Sequence, residues 1–207
     1  MEGCRGSTGR HNLSFVSQMT TLYDSTFSYC LPSWSSSAFM GSLLLGKEAL
    51  CAPGLQFTPL YSNRMKPQYY YVGLNGISVG EELVFIPEGT FTLDQSTRRG
   101  SIIESGTVIT RLVEPAYNVQ RDSFRRHLSD LTLASPTNLF DTCYNKPTGE
   151  VKFPIITLHF DDGLDLTLPV ENTLIPENEE GTVLCLAFAL PPGGADAVFS
   201  IFGNYQH

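Results

Sequence analysis

Long apolar runs are missing from this 207-residue chain. No stretch of 18 apolar residues occurs, so no transmembrane helix and no membrane partner are expected. The first residues, "MEGCRGSTGRHNLSF", lack the apolar centre of a signal peptide, and none is read there. Charge is scarce too, at 16% of residues, and it is one-sided: 21 acidic against 13 basic residues leave a net charge of −8. That balance argues against nucleic acid and anionic membrane as partners. Cys4, Cys30, Cys51, Cys143 and Cys185 lie far apart, with no CxxC or HxxxH spacing, so no metal site is expected. Scattered cysteines suit disulfides made in an oxidising compartment, with one left over from an odd count.

Glycine (18) and proline (13) are abundant, and short β-branched or aromatic runs recur between them. With 42% hydrophobic residues the chain has ample material for a core, and the pattern points to an all-β fold with one or two short helices. Residues 13–22 read as a helical turn or two, and "TFSYCL" (26–31) and "SLLLG" (42–46) as strands around a Ser-rich loop containing Trp34. "GLQFTPL" (54–60) resembles an edge strand ending at Pro59. "QYYYVGLNGISVG" (68–80) reads as a hairpin turning at Asn75-Gly76, because Asn-Gly is the strongest short hairpin signal. "VFIP" (84–87) and "GTFTLD" (89–94) continue the β pattern.

Glu114-Pro115 begins the one clear helix, with Tyr117, Phe124 and Leu128 on its apolar face. Arg121, Arg125, Arg126 and His127 are expected to form its solvated face. Five β segments follow, at 140–145, 153–160, 164–170, 182–190 and 198–204. Helices and strands do not alternate, which excludes a doubly wound sheet. His159, in the alternating strand "ITLHF", is expected to be a satisfied structural histidine.

One stretch carries chemistry. Ile102-Ile103 precede Glu104-Ser105-Gly106-Thr107, so a buried strand hands a carboxylate to a tight turn. A carboxylate delivered that way is held rigidly, which acid–base chemistry requires. This segment resembles the "apolar–apolar–Asp–Thr/Ser–Gly–Ser/Thr" signature of pepsin-like aspartic proteases, and Ile201-Phe202-Gly203 resembles the partner strand that crosses the catalytic loop. "FSYCLPS", "YYVGLNGISVG", "ESGTVITRL", "FDTCYN" and "IFGN" are similar to the plant nepenthesin-like branch, which also contains the inactive xylanase-inhibitor proteins.

The resemblance implies a bilobal pepsin-like fold acting on polypeptides without metal or cofactor. It places Glu104 where the C-terminal lobe's aspartate would stand, with Ser105, Gly106 and Thr107 completing the loop and Thr107 bonding across it. It also implies a Cys143–Cys185 disulfide, and leaves the partners of Cys4, Cys30 and Cys51 open, a Cys30–Cys51 bridge being conceivable. A secreted protein is implied, for which Asn12-Leu13-Ser14 is a glycosylation sequon.

Two departures weaken the catalytic expectation. Glu104 is one methylene longer than aspartate, and a misplacement near 1 Å can cost on the order of 100-fold in rate. No second Asp-Thr/Ser-Gly occurs: Ser7-Thr8-Gly9 has no acid before it, and Asp161-Asp162-Gly163 has no hydroxyl. The expectation is therefore a chain cut at both ends, with residues 1–67 the rear of an N-terminal lobe and 68–207 most of a C-terminal lobe. Its Glu104 is a structural or vestigial carboxylate, and the chain alone is an inactive monomer. The rival expectation is a non-catalytic protein that binds a glycosidase.

Overall fold

A computed structural model describes residues 9–10, 14–32, 40–137, 139–178, 180–194 and 197–206. Two helical turns come first, α1 (Phe15–Gln18) and α2 (Thr20–Tyr23); the Ser14 side chain caps α1 by accepting from the Ser17 amide. The strands β1 (Phe27–Cys30) and β2 (Ser42–Leu45) form an antiparallel ribbon of their own. β3 (Leu60–Tyr61), β4 (Tyr70–Val72), β5 (Leu74–Val79), β6 (Glu82–Leu83), β7 (Gly100–Ile103) and β8 (Thr110–Arg111) lead to the long helix α3 (Glu114–His127). β9 (Cys143–Asn145), β10 (Ile156–Phe160), β11 (Asp165–Leu168), the turn α4 (Val170–Thr173) and β12 (Leu174–Pro176) follow. β13 (Val183–Leu186), β14 (Phe188–Ala189) and β15 (Phe199–Phe202) complete the strands.

Three further sheets arise from these. β11-β10-β5-β6 is one, β12-β13-β9 another, and β14-β8-β15-β7-β4-β3 the six-stranded sheet that carries the Glu104 loop. In the last, β15 runs parallel to β7 and antiparallel to β8. Alternation sets the core: along β10, Ile156, Leu158 and Phe160 are buried while Thr157 and His159 face outward. The buried residues meet Tyr117 and Phe124 of α3, Leu128 just past its end and Phe202 of β15 in one apolar cluster. Each such side chain, removed from water, stabilises the fold by about 1.5–3 kcal/mol.

Where local signals and tertiary pairing conflict, pairing wins. No hairpin forms at Asn75-Gly76. β5 runs through both residues: Gly76 pairs with His159 and Leu74 with Phe160 of β10, with a register shift at Asn75. β6 pairs further on with Ser78 and Val79, and Gly76 has no positive φ. The turn falls instead at Gly80, whose φ of +62° supplies the left-handed conformation such a turn needs. The break between β4 and β5 is at Gly73, where the Asp161 carboxylate fills the side-chain position: an added Cβ would lie 1.9 Å from its Oδ2. The Tyr61 hydroxyl donates to that same oxygen at 2.6 Å.

Residues 54–59 are irregular, and the strand starts only after Pro59, which has no N–H to give a ladder. Residues 84–87 are irregular and 89–94 begin in a turn, so neither is a strand; the Val84 amide still donates to the Ile77 carbonyl at 3.0 Å, and Val84 and Phe91 are buried in the core. The segment 182–190 divides into β13 and β14, which join different sheets. The basic face of α3 is less solvated than expected. Arg121 pairs with Asp122 and Asp141, Arg125 with Asp141, and Arg126 with Glu82. Beside the 14-residue α3, the helices α1, α2 and α4 are four-residue turns, so the chain is mainly β as expected.

Candidate active-site loop

β7 lies inside the six-stranded sheet, and Ile102 is 1% exposed, so the strand that ends at Glu104 is anchored on both sides and from below. The Glu104 amide extends the parallel ladder by donating to the Phe202 carbonyl at 3.0 Å. The loop then closes on itself: the Thr107 amide donates to the Glu104 carbonyl at 3.3 Å, and the Thr107 hydroxyl donates to Glu104 Oε2 at 2.9 Å. Glu104 and Thr107 are half-buried, while Ser105 and Gly106 are exposed at the tip.

A second segment clamps this loop. Just past β15, the Asn204 amide donates to the Thr107 carbonyl at 2.7 Å and the Tyr205 amide to the Val108 carbonyl at 2.8 Å. The Asn204 side chain donates to the Ser105 carbonyl at 2.6 Å. Gln206, 4% exposed, uses its whole amide: Oε1 accepts from the Thr110 amide and hydroxyl, and Nε2 donates to the carbonyls of Asn172 and Ala187. The Gly203 amide donates to Thr110 Oγ1 at 3.1 Å. A buried polar group bonded this fully rigidifies its surroundings.

Asn204, Gln206 and Thr110 thus position the loop, and the sequence reading missed them. Gln206 and Thr110 lie 96 residues apart, so no local spacing reveals their pairing. Chemically, Glu104 is a carboxylate held at one oxygen by a hydroxyl of its own loop. Among the described residues, Thr107 is its side-chain hydrogen-bond partner. Such a group can take or give a proton, but a shared-proton dyad needs a second acid opposite it.

Cys143 and Cys185 face each other across β9 and β13 and are joined by a disulfide with both residues fully buried. Cys30 and Cys51 are free and exposed, so the conceivable bridge between them is not made. Cys4, Asn12 and Leu13 of the sequon, and Trp34 lie outside the described residues. Among the described residues no helix is long and apolar enough to cross a membrane, and no group of three or more His, Cys, Asp or Glu side chains could hold a metal ion.

A Glu-Ser-Gly-Thr loop hung from a central strand and crossed by an Ile-Phe-Gly strand defines a pepsin-like, mainly β protein of the aspartic-protease class. Solved structures share the fold: that titled edgp superposes with a TM-score of 0.79 at 17% identity, covering 96% of this chain and 54% of that one. Basic 7S globulin from soybean gives 0.75 at 20% identity, covering 96% and 50%. Among curated proteins, Aspartyl protease 25 of Oryza sativa subsp. japonica is 40% identical over 201 residues, covering 96% of this chain and 45% of that protein. Aspartyl protease AED3 of Arabidopsis thaliana is 44% identical over 199 residues, covering 96% and 43%, and aspartic proteinase nepenthesin-2 of Nepenthes gracilis is 37% identical over 183 residues, covering 87% and 40%. The chain therefore spans less than half the length of these relatives. The family model described as xylanase inhibitor C-terminal matches residues 69–207, and the chain belongs to that family.

Proposed function

We propose that this chain is an aspartic-endopeptidase family protein that does not hydrolyse peptides on its own. One observation carries the reading: the Glu104 carboxylate bonds Thr107 of its own loop, and among the described residues no second carboxylate bonds it. Hydrolysis of this type needs one charged acid to activate water and one neutral acid to donate to the peptide carbonyl. A single, longer carboxylate supplies half of that. Polypeptide is the proposed substrate class of the complete machinery, supported by the relatives named as proteases. We also assign residues 1–67 and 68–207 to two lobes, supported by the family match beginning at residue 69. A monomer of the secretory pathway is the proposed state, and the buried disulfide supports an oxidising compartment.

The test is to incubate the purified chain with denatured globin between about pH 2 and 6, the range in which a shared-proton dyad titrates. Globin left intact is the expected result. Cleavage that pepstatin blocks would overturn the proposal.

The family match favours a second reading, a non-catalytic protein that occupies a glycosidase, because such a role needs the fold and not the carboxylate pair. Titrating endoxylanases with the chain separates the two. Loss of xylan hydrolysis at stoichiometric chain supports glycosidase binding, and undiminished hydrolysis dismisses it.

A further inference from the structure

Away from the Glu104 loop, on the outer face of β11-β10-β5-β6, three side chains from three strands form a hydrogen-bonded chain. His159 Nδ1 lies 2.6 Å from Asp165 Oδ1, and His159 Nε2 lies 2.7 Å from Ser78 Oγ. The ladder produces the arrangement. His159 and Asp165 are directly opposed on β10 and β11, while Ser78 on β5 opposes Thr157, two residues from His159 and on the same face. The proton order follows from elementary chemistry. An ionised carboxylate only accepts, so Nδ1 carries the hydrogen in the neutral ring, Nε2 is left as an acceptor, and the Ser78 hydroxyl donates to it.

We propose that Ser78, His159 and Asp165 are a second reactive centre, in which Ser78 is an activated nucleophile toward aryl esters and similarly activated acyl donors. A hydroxyl bonded to a base that is itself oriented by a carboxylate is the arrangement nucleophilic catalysis uses on unrelated folds. The surroundings leave it accessible. The His159 side chain is 27% exposed and that of Asp165 61%. Opposite His159 stands Gly76, whose side-chain space is taken by Leu83 and the ring itself: an added Cβ would lie 3.2 Å from Leu83 Cδ1 and 3.7 Å from His159 Cδ2. Leu83, opposite Ser78 on β6 and 66% exposed, offers an apolar surface for an aryl group. Thr157 places a hydroxyl beside Ser78, with opposed Cβ atoms about 5 Å apart, where it can donate to a developing oxyanion. Its present contact, Thr167 Oγ1 at 3.3 Å, is long.

The steps balance without a co-reactant other than water. Ser78 Oγ bonds the ester carbonyl carbon as its proton passes to His159 Nε2. The tetrahedral adduct collapses, the C–O bond to the aryl group breaks, and the imidazolium returns the proton to the leaving aryloxide. Water then gives a proton to the same imidazole as its oxygen bonds the acyl carbon, the bond from that carbon to Ser78 Oγ breaks, and the imidazolium returns the proton to Oγ, freeing the carboxylic acid. Aryl esters suit this centre because their leaving group needs little assistance.

The experiment treats the purified chain with 4-nitrophenyl acetate and follows acetylation of each serine by peptide mass mapping. Ser78 should be acetylated far faster than the exposed Ser129, and urea unfolding should erase the difference. His159→Gln should slow acetylation of Ser78 by about 100-fold or more, the usual weight of a general base. Asp165 acts through His159 as a positioning residue. Asp165→Asn, which favours the wrong tautomer of His159, should slow the reaction at least as strongly as His159→Gln, and Asp165→Glu should recover most of the loss, with thermal melting unchanged. Acetylation of Ser78 at the Ser129 rate, or at an equal rate in folded and unfolded chain, overturns the proposal without recourse to any variant. An undiminished rate in a folded His159→Gln chain overturns it as well.

Discussion

Gly203 lies against the backbone of Ile109 so closely that an added Cβ would sit 2.4 Å from the Ile109 carbonyl carbon and 2.6 Å from its oxygen. The obstacle is main chain, which cannot swing aside as a side chain would. This contact lets the segment after β15 reach Thr107 and Val108 and clamp the loop. Gly203→Ala should therefore cost about 3 kcal/mol or more, beyond ordinary overpacking. Gly149→Ala, where an added Cβ meets nothing within 4 Å, should stay within about 0.5 kcal/mol. Urea midpoints of the two variants measure the contrast, and equal midpoints would contradict the clamp.

Asp141 should make part of the stability depend on pH. Burial pushes its carboxyl upward. The Tyr117 and Thr142 hydroxyls and the Arg121 and Arg125 charges outweigh that and hold it below the usual aspartate range. A folded-state value below the unfolded one means stabilisation that is complete above about pH 4, where unfolded aspartate titrates, and that is lost as pH falls through the folded value. Asp141 is 42% exposed, so solvent screening limits the effect to the order of 0.5 kcal/mol. Asp141→Asn should lose that increment at pH 7 and show a flatter decline below pH 4 in chemical denaturation. An unchanged slope would remove Asp141 as the cause.

The Cys143–Cys185 disulfide closes a segment with a sequence separation of 42. Chain-entropy reasoning assigns such a loop about 4 kcal/mol, and measured native bridges commonly give about 2–5 kcal/mol. Replacing both cysteines with alanine should lower the urea midpoint accordingly. Because both residues are fully buried, a reductant should leave the folded chain unaltered at short times and act once urea opens it. Rapid reduction under native conditions, followed by trapping of free thiols, would contradict this.

Gln120 is fully buried on α3, and among the described residues neither of its amide atoms has a hydrogen-bond partner. A buried, unbonded amide costs about 1–3 kcal/mol. Gln120→Met, close in volume and without polar atoms, should raise the thermal midpoint, with a gain of about 1 kcal/mol. A fall in midpoint would show that Gln120 is satisfied in solution.

Some of these features could be read locally. Proline at the first turn and the spacing of Tyr117, Phe124 and Leu128 announced α3; all three are buried, Leu128 as the residue that caps its C-terminus. The alternation in "ITLHF" announced β10, and Ile102-Ile103 announced the strand that delivers Glu104. Other local signals were overruled. Asn75-Gly76 stayed within β5 because Leu74 and Gly76 pair with β10 around a register shift at Asn75. The strand pattern at 84–94 gave irregular chain and a turn once the ladder ended with the Val84 amide on the Ile77 carbonyl.

The order of side chains thus determined by itself which segments bury a face, where α3 begins, and that a Glu-Ser-Gly-Thr turn ends a buried strand. Those properties rest on local sterics and on hydrophobic alternation over a few residues. Only the tertiary structure decided that Gln206 and Asn204 clamp the loop, that the Glu104 carboxylate turns to Thr107, and that His159 meets both Ser78 and Asp165. Thr110 meets Gln206 across 96 residues, and Ser78 meets His159 across 81. Contacts at that separation form through strand register, which the whole core sets at once.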